Sequence, residues 1–98
     1  MNMQAIMKQA QNLQKDMLKV QEEIEAKEFE GESSLVKVKA NGKKEILSVK
    51  IDSSEKLDVE DLELLEDMIM VAINNTFKKV DEYREQKMSK FGNIPGLF

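Results

Sequence analysis

The sequence predicts an α+β fold of order α-β-β-β-α, a three-stranded antiparallel sheet between two long helices. Three observations carry that expectation. Residues 35–51 (LVKVKANGKKEILSVKI) hold two runs of apolar/polar alternation, Val36-Val38-Ala40 and Leu47-Val49-Ile51, on either side of Asn41-Gly42. Residues 3–24 and 58–89 each carry apolar side chains at helical spacing. Alternation is the period of a half-buried strand, whereas steps of three and four place side chains on one helix face.

The first helix is expected over residues 3–24. Met3, Ile6, Ala10, Leu13, Met17, Val20 and Ile24 form an unbroken heptad seam, and the intervening Gln, Lys and Glu residues favour helix. So narrow a stripe suits packing against another helix. Met7 and Leu18 fall outside it and are candidates for a dimer contact.

Next comes EFEGESS, residues 28–34. Phe29 and Gly31 alternate with glutamates as a strand would, while Gly31 and the serines suit a bent connection equally well. Taken as a strand it completes a three-stranded sheet. The ribbon that follows has an apolar face and a face bearing Lys37, Lys39 and Lys50, with Asn-Gly predicting a type I′ hairpin turn. Those lysines read as solubility and edge protection rather than as a site.

A turn-rich link at 52–56 leads to the second helix. Asp58 suits its N-cap, Asp61 takes the reciprocal capping-box position, and Glu60 and Glu63 add to the favourable charge at the helix start. These carboxylates need no catalytic or Mg²⁺ role. Leu62, Leu65, Ile69, Ala72, Thr76, Val80 and Tyr83 recur at helical spacing, and Leu64, Met68, Ile73 and Phe77 broaden the first half of the face. Asn74-Asn75 marks either a polar contact across an interface or the edge of that face. Residues 1–91 are read as a single domain, and 92–98 (GNIPGLF) as a flexible tail.

Length decides the expected architecture. A helix over 58–89 is about 48 Å long, whereas a seven-residue strand reaches only about 23 Å. Half of the second helix must therefore overhang the sheet. The N-terminal half of the first helix is expected to run beside it as an antiparallel arm. An arm and a sheet this small are more credible in a homodimer.

The chain has 98 residues, no cysteine and no histidine. Disulfides, the usual zinc sites, thiol nucleophiles and the commonest general base are thereby excluded. No catalytic residue, metal or cofactor is expected. The opening residues are too polar for a signal peptide and no apolar run reaches membrane-spanning length, so the expected location is cytoplasmic. Net charge is −4, but unevenly placed. Residues 52–70 are strongly acidic, with Lys56 the only cation, whereas the ribbon and the end of the second helix are basic. With 5% aromatic residues there is no stacking platform for single strands.

The segments IMKQAQNLQKDMLKVQEEI (6–24), VKVKANGKKEILSVKID (36–52) and LLEDMIMVAINNTFKKVDE (64–82), with PGLF at the end, resemble the YbaB/EbfC family of small bacterial nucleoid-associated proteins. The likeness spans nearly the whole chain. It implies a tweezers-like homodimer that binds double-stranded DNA in the cytoplasm, at the nucleoid. It also implies roles in nucleoid organisation and gene expression, with no catalytic signature. Matching positions are Lys8, Gln9, Gln11 and Gln14, the Asn41-Gly42 turn, and Asp67, Asn74 and Lys79.

With that resemblance, Lys8, Lys15, Lys78, Lys79, Arg84 and Lys87 are expected to contact phosphates at the arms. Gln9, Gln11 and Gln14 would hydrogen-bond phosphate, sugar or base edges. The bland reading makes all of them solvated helix surface. The rival function is a dimeric adaptor that docks a protein partner on its acidic 52–67 surface.

Overall fold

The computed structural model describes residues 2–52 and 57–92. Along it run α1 (Met3–Ala26), β1 (Glu28–Ser33), β2 (Val36–Asn41), β3 (Ile46–Ile51) and α2 (Leu62–Met88). Short 3-10 turns occupy Val59–Asp61 and Ser89–Phe91. Most of the expected link, at 53–56, and the expected tail from 93 to 98 lie outside the described residues. No helix among the described residues is long and apolar enough to cross a membrane.

The strands form one antiparallel sheet in the order β1-β2-β3, so residues 28–33 pair as a strand. Phe29 and Gly31 of β1, with Val36, Val38 and Ala40 of β2, turn inward and are buried beneath α2. Contact is closest at Gly31, where a Cβ would come within 2.6 Å of the Thr76 backbone nitrogen. Thr76 is itself fully buried, and its hydroxyl donates to the Ala72 carbonyl at 2.7 Å. Leu65, Met68, Ile69 and Ile73 pack around Val36, Val38 and Ala72 to complete this core.

The hairpin differs from the expected type I′ turn. Its loop is Gly42-Lys43-Lys44, and Lys44 rather than Gly42 takes positive φ, at 62°. The Asn41 side-chain oxygen accepts the Lys43 and Glu45 N–H groups at 2.9 and 3.1 Å, and Lys44 N–H closes onto the Asn41 carbonyl. Asparagine therefore organises a three-residue loop, one of the common alternatives to the two-residue turn. Gly42 serves a different purpose: a Cβ there would fall on the Ile24 carbonyl at the end of α1. A β-bulge follows, since Lys39 pairs with Ser48 but Ala40 pairs with Ile46. Leu47 is the extra residue, and β3 begins one residue earlier than its alternation indicates.

α2 begins as expected at Asp58, whose N–H donates to Asp61 Oδ2 at 2.9 Å, but its opening turn is 3-10 rather than α. It lies over β1 and β2 and leaves β3 aside. From it, the Asn75 side chain donates to the Glu32 carbonyl at 3.1 Å and Lys79 Nζ to the Glu30 carbonyl at 2.6 Å. Glu30 and Glu32 are alternate residues of an edge strand, so these bonds cover an edge that would otherwise offer itself to another chain. Asn75 thus makes its polar contact within the chain.

The arm also differs from expectation. Met17, Val20 and Ile24, the C-terminal third of the α1 seam, pack with Met88, Tyr83 and Phe91. Residues 3–16 are exposed throughout. The reason is length: α2 is still bonded to the sheet at Lys79 and to the hairpin at Arg84, so only its last turns remain to meet α1. The result is a molecule 72 Å long and 20 by 15 Å across, with a single-helix arm. The N-terminal half of α2, where the apolar face is broadest, keeps Leu62, Leu64, Met70 and Val71 exposed.

Candidate nucleic-acid interface

At 3.6 residues per turn, Lys8 and Lys15 share the α1 face opposite the seam of Met3, Ile6, Ala10 and Leu13. Lys19 extends this stripe, which covers about 16 Å of helix axis. Gln11 lies beside the lysines, whereas Gln9 and Gln14 flank the apolar seam on its two sides. Lys8, Lys15 and Lys19 are exposed, and no hydrogen bond or ion pair among the described residues engages them. The arm therefore presents ammonium groups to solvent along one face.

The α2 cations are placed differently. Lys78 is exposed at the level of the sheet. Lys79 is held by the Glu30 carbonyl, and Arg84, part-buried, donates to the Gly42 carbonyl at 2.8 Å. Both therefore contribute to the fold, whatever else they touch. Lys87 lies 5.4 Å from the centre of the Tyr83 ring. The expected residues thus do not converge on one arm tip: Lys8 and Lys15 are on the arm, Lys87 is at its base, and Lys78, Lys79 and Arg84 lie by the sheet.

Two cations absent from the sequence-based set join Lys87 at the base. Lys27, which ends α1, lies 5.1 Å from the Tyr83 ring and 5.8 Å from Phe29, and Lys90 lies 5.1 Å from Phe91. Phe29 and Tyr83 meet edge to face at 5.4 Å, giving the Lys27 and Lys87 ammonium groups a shared aromatic floor. No linear spacing joins Lys27 to Lys87. Lys19, by contrast, was legible, because it sits four residues after Lys15.

Carboxylates gather at the other end. Asp61, Leu57 and Leu64 lie beside Ser34 and Leu35, at the end of the β1–β2 hairpin away from α1. Asp58, Glu60, Glu63, Glu66 and Asp67 are exposed on the same stretch. The molecule is electrically polar along its length, with the carboxylates clustered at the end away from the arm.

This geometry defines a class: a small two-layer α+β protein with a projecting helix that carries lysines along one face. The model for the YbaB/EbfC DNA-binding family matches residues 1–94, and the chain belongs to that family. It is 46% identical over 103 residues to a nucleoid-associated protein of Clostridium novyi, covering 100% of this chain and 90% of that one. A nucleoid-associated protein of Pelotomaculum thermopropionicum is 46% identical over 102 residues, covering 99% and 96%. Among solved structures, an uncharacterized Helicobacter pylori protein, HP0035, superposes with a TM-score of 0.75 at 23% identity, covering 95% of this chain and 99% of that one. That likeness speaks for the fold.

Proposed function

We propose that the protein is a homodimeric, non-enzymatic binder of double-stranded DNA that works at the nucleoid in the cytoplasm, organising DNA and influencing gene expression. The observation that carries this reading is the arm: Lys8 and Lys15 stand free on one face of a projecting helix, at the opposite end from the carboxylates. Phosphate contacts of this kind give affinity without sequence preference and a strong dependence on salt. Lys87 and Lys27 extend the surface to the arm's base, and Lys78 adds a contact by the sheet. Gln11 is placed for phosphate or sugar, with Gln9 and Gln14 reaching past the edge of the seam. Lys79 and Arg84 contribute charge while serving the fold.

The dimer reading rests on β3. Ile46, Leu47, Val49 and Ile51 are 39–48% exposed, and Leu62 and Met70 of α2 add apolar surface nearby. Apolar side chains exposed together along one strand support an interface there. A second copy related by a two-fold axis would bury β3 against itself and carry two arms.

Fluorescence anisotropy of a labelled duplex of about 30 bp, titrated at about 50 and 200 mM salt, tests the DNA reading. Saturable binding that collapses at the higher salt supports it, and no binding at the lower salt refutes it. One feature favours a second reading, that of an adaptor: Leu57, Val59 and Leu64 are exposed among the carboxylates of 57–67. A basic, apolar protein segment would fit that end.

A further inference from the structure

The apolar seam of the α1 arm is used once within the chain, where Met17, Val20 and Ile24 pack on α2. Its continuation, Met3, Ile6, Ala10 and Leu13, meets nothing among the described residues, and Met3, Ile6 and Leu13 are 42–75% exposed. A lone helix of fourteen residues is marginal in water, near the limit of about 12–15 residues for isolated helices. The arm is therefore a half-built helix pair.

We propose that the missing half is the arm of a second copy, packed antiparallel, so that α1 arms join one dimer to another. Four features of the arm favour this occupant. The heptad alternates Met3 and Ala10 with Ile6 and Leu13, and an antiparallel pair sets Met3 against Leu13 and Ile6 against Ala10, with the small Ala10 admitting close approach. The flanking positions, Asn2, Met7, Gln9 and Gln14, are uncharged, so no like-charge repulsion opposes self-pairing. In this register Met7 meets its own copy, which accounts for a large apolar side chain, 58% exposed, outside the seam. Finally, α1 has no acidic residue in its first turn. The antiparallel register brings Asp16 of each copy to the other's helix start, where a carboxylate is favourable.

Lys8, Lys15 and Lys19 lie on the opposite side and remain free for phosphate. A protomer with one two-fold interface at β3 and another at the arm joins dimer to dimer, in open chains wherever the two axes do not intersect. Such chains would bridge DNA segments. The arm contact itself needs neither DNA nor the β3 interface, although the bridging consequence rests on the function proposed above.

The test uses the full chain without DNA. Sedimentation of the wild type is compared with I6Q/L13Q, which keeps good helix formers at exposed positions, and with V49E, which puts a carboxylate on the exposed face of β3. The expected results are a wild-type mass that rises from dimer to tetramer and beyond with concentration, and a ceiling at dimer for each variant. Because the chain lacks cysteine, single nitroxide labels at Q9C and M3C report the register. The antiparallel pair requires a short spin–spin distance at position 9 and a longer one at position 3. Identical sedimentation of I6Q/L13Q and wild type overturns the proposal. So does the absence of a short distance at position 9, which would mean that another segment or another protein covers the seam. Failure of DNA binding in the anisotropy titration would remove the DNA reading and leave the sedimentation result standing.

Discussion

Gly42 lies against the carbonyl of Ile24 so closely that any side chain would displace one or the other. The Gly42 N–H donates to the Glu25 carbonyl at 3.3 Å, and the Gly42 carbonyl accepts from Arg84 at 2.8 Å. One small residue thereby ties the end of α1, the hairpin loop and α2 together. The direction in which the arm leaves the body depends on it.

Replacing Gly42 with Ala should therefore destabilise the protein through overpacking, by about 1–3 kcal/mol. Urea unfolding followed by circular dichroism measures this. A Gly42→Ala protein as stable as wild type would show that α1 has room to shift away from the hairpin at little cost.

Gly31→Ala should be damaging in the same way, because the obstruction includes the Thr76 backbone nitrogen and Cα as well as its hydroxyl, and the backbone cannot turn away. Thr76→Val should cost less, about 1 kcal/mol for the missing hydroxyl bond. Parallel thermal melts would rank the two.

Val49→Glu should leave the fold intact, since Val49 is 43% exposed, yet abolish dimerisation through the sheet. Light scattering at a concentration where the wild type is dimeric reads the result. An unchanged mass would move the interface away from β3.

Charge reversal of Lys8 and Lys15 should weaken DNA binding strongly and flatten its salt dependence, by about 0.9 in log–log slope for each phosphate no longer neutralised. Reversal of Lys37 and Lys39 should matter much less, as Lys39 already faces Glu28 at 3.6 Å and both lie on the sheet. Titrations of both variants over a range of salt decide the matter. Equal weakening by the two reversals would place the phosphates on the sheet.

Lys79→Glu should affect stability as well as any binding, because it removes the donor to the Glu30 carbonyl and puts a carboxylate beside that oxygen. A cost of about 1–3 kcal/mol is expected, and Lys78→Glu, at an exposed position, should cost far less. Comparing the unfolding midpoints of the two separates structural from binding roles.

The element order, the strand faces of β1 and β2, the heptad seam of α1 and the Asp58–Asp61 start of α2 were all legible in the sequence, because each rests on spacing or capping within a few residues. So was the concentration of carboxylates near the start of α2. What lies between elements was not legible. That Asn41 rather than Gly42 makes the turn, and that Gly42 is there for Ile24, follow from α1 docking onto the hairpin. That Lys79 and Arg84 are tied down while Lys8 and Lys15 stand free follows from where α2 crosses the sheet. The same crossing leaves β3 and the first half of α1 without cover. Local periodicity determines which face of each segment is apolar; only the tertiary arrangement decides which of those faces the chain can reach with its own residues, because helix length and strand reach limit how much one small domain can bury.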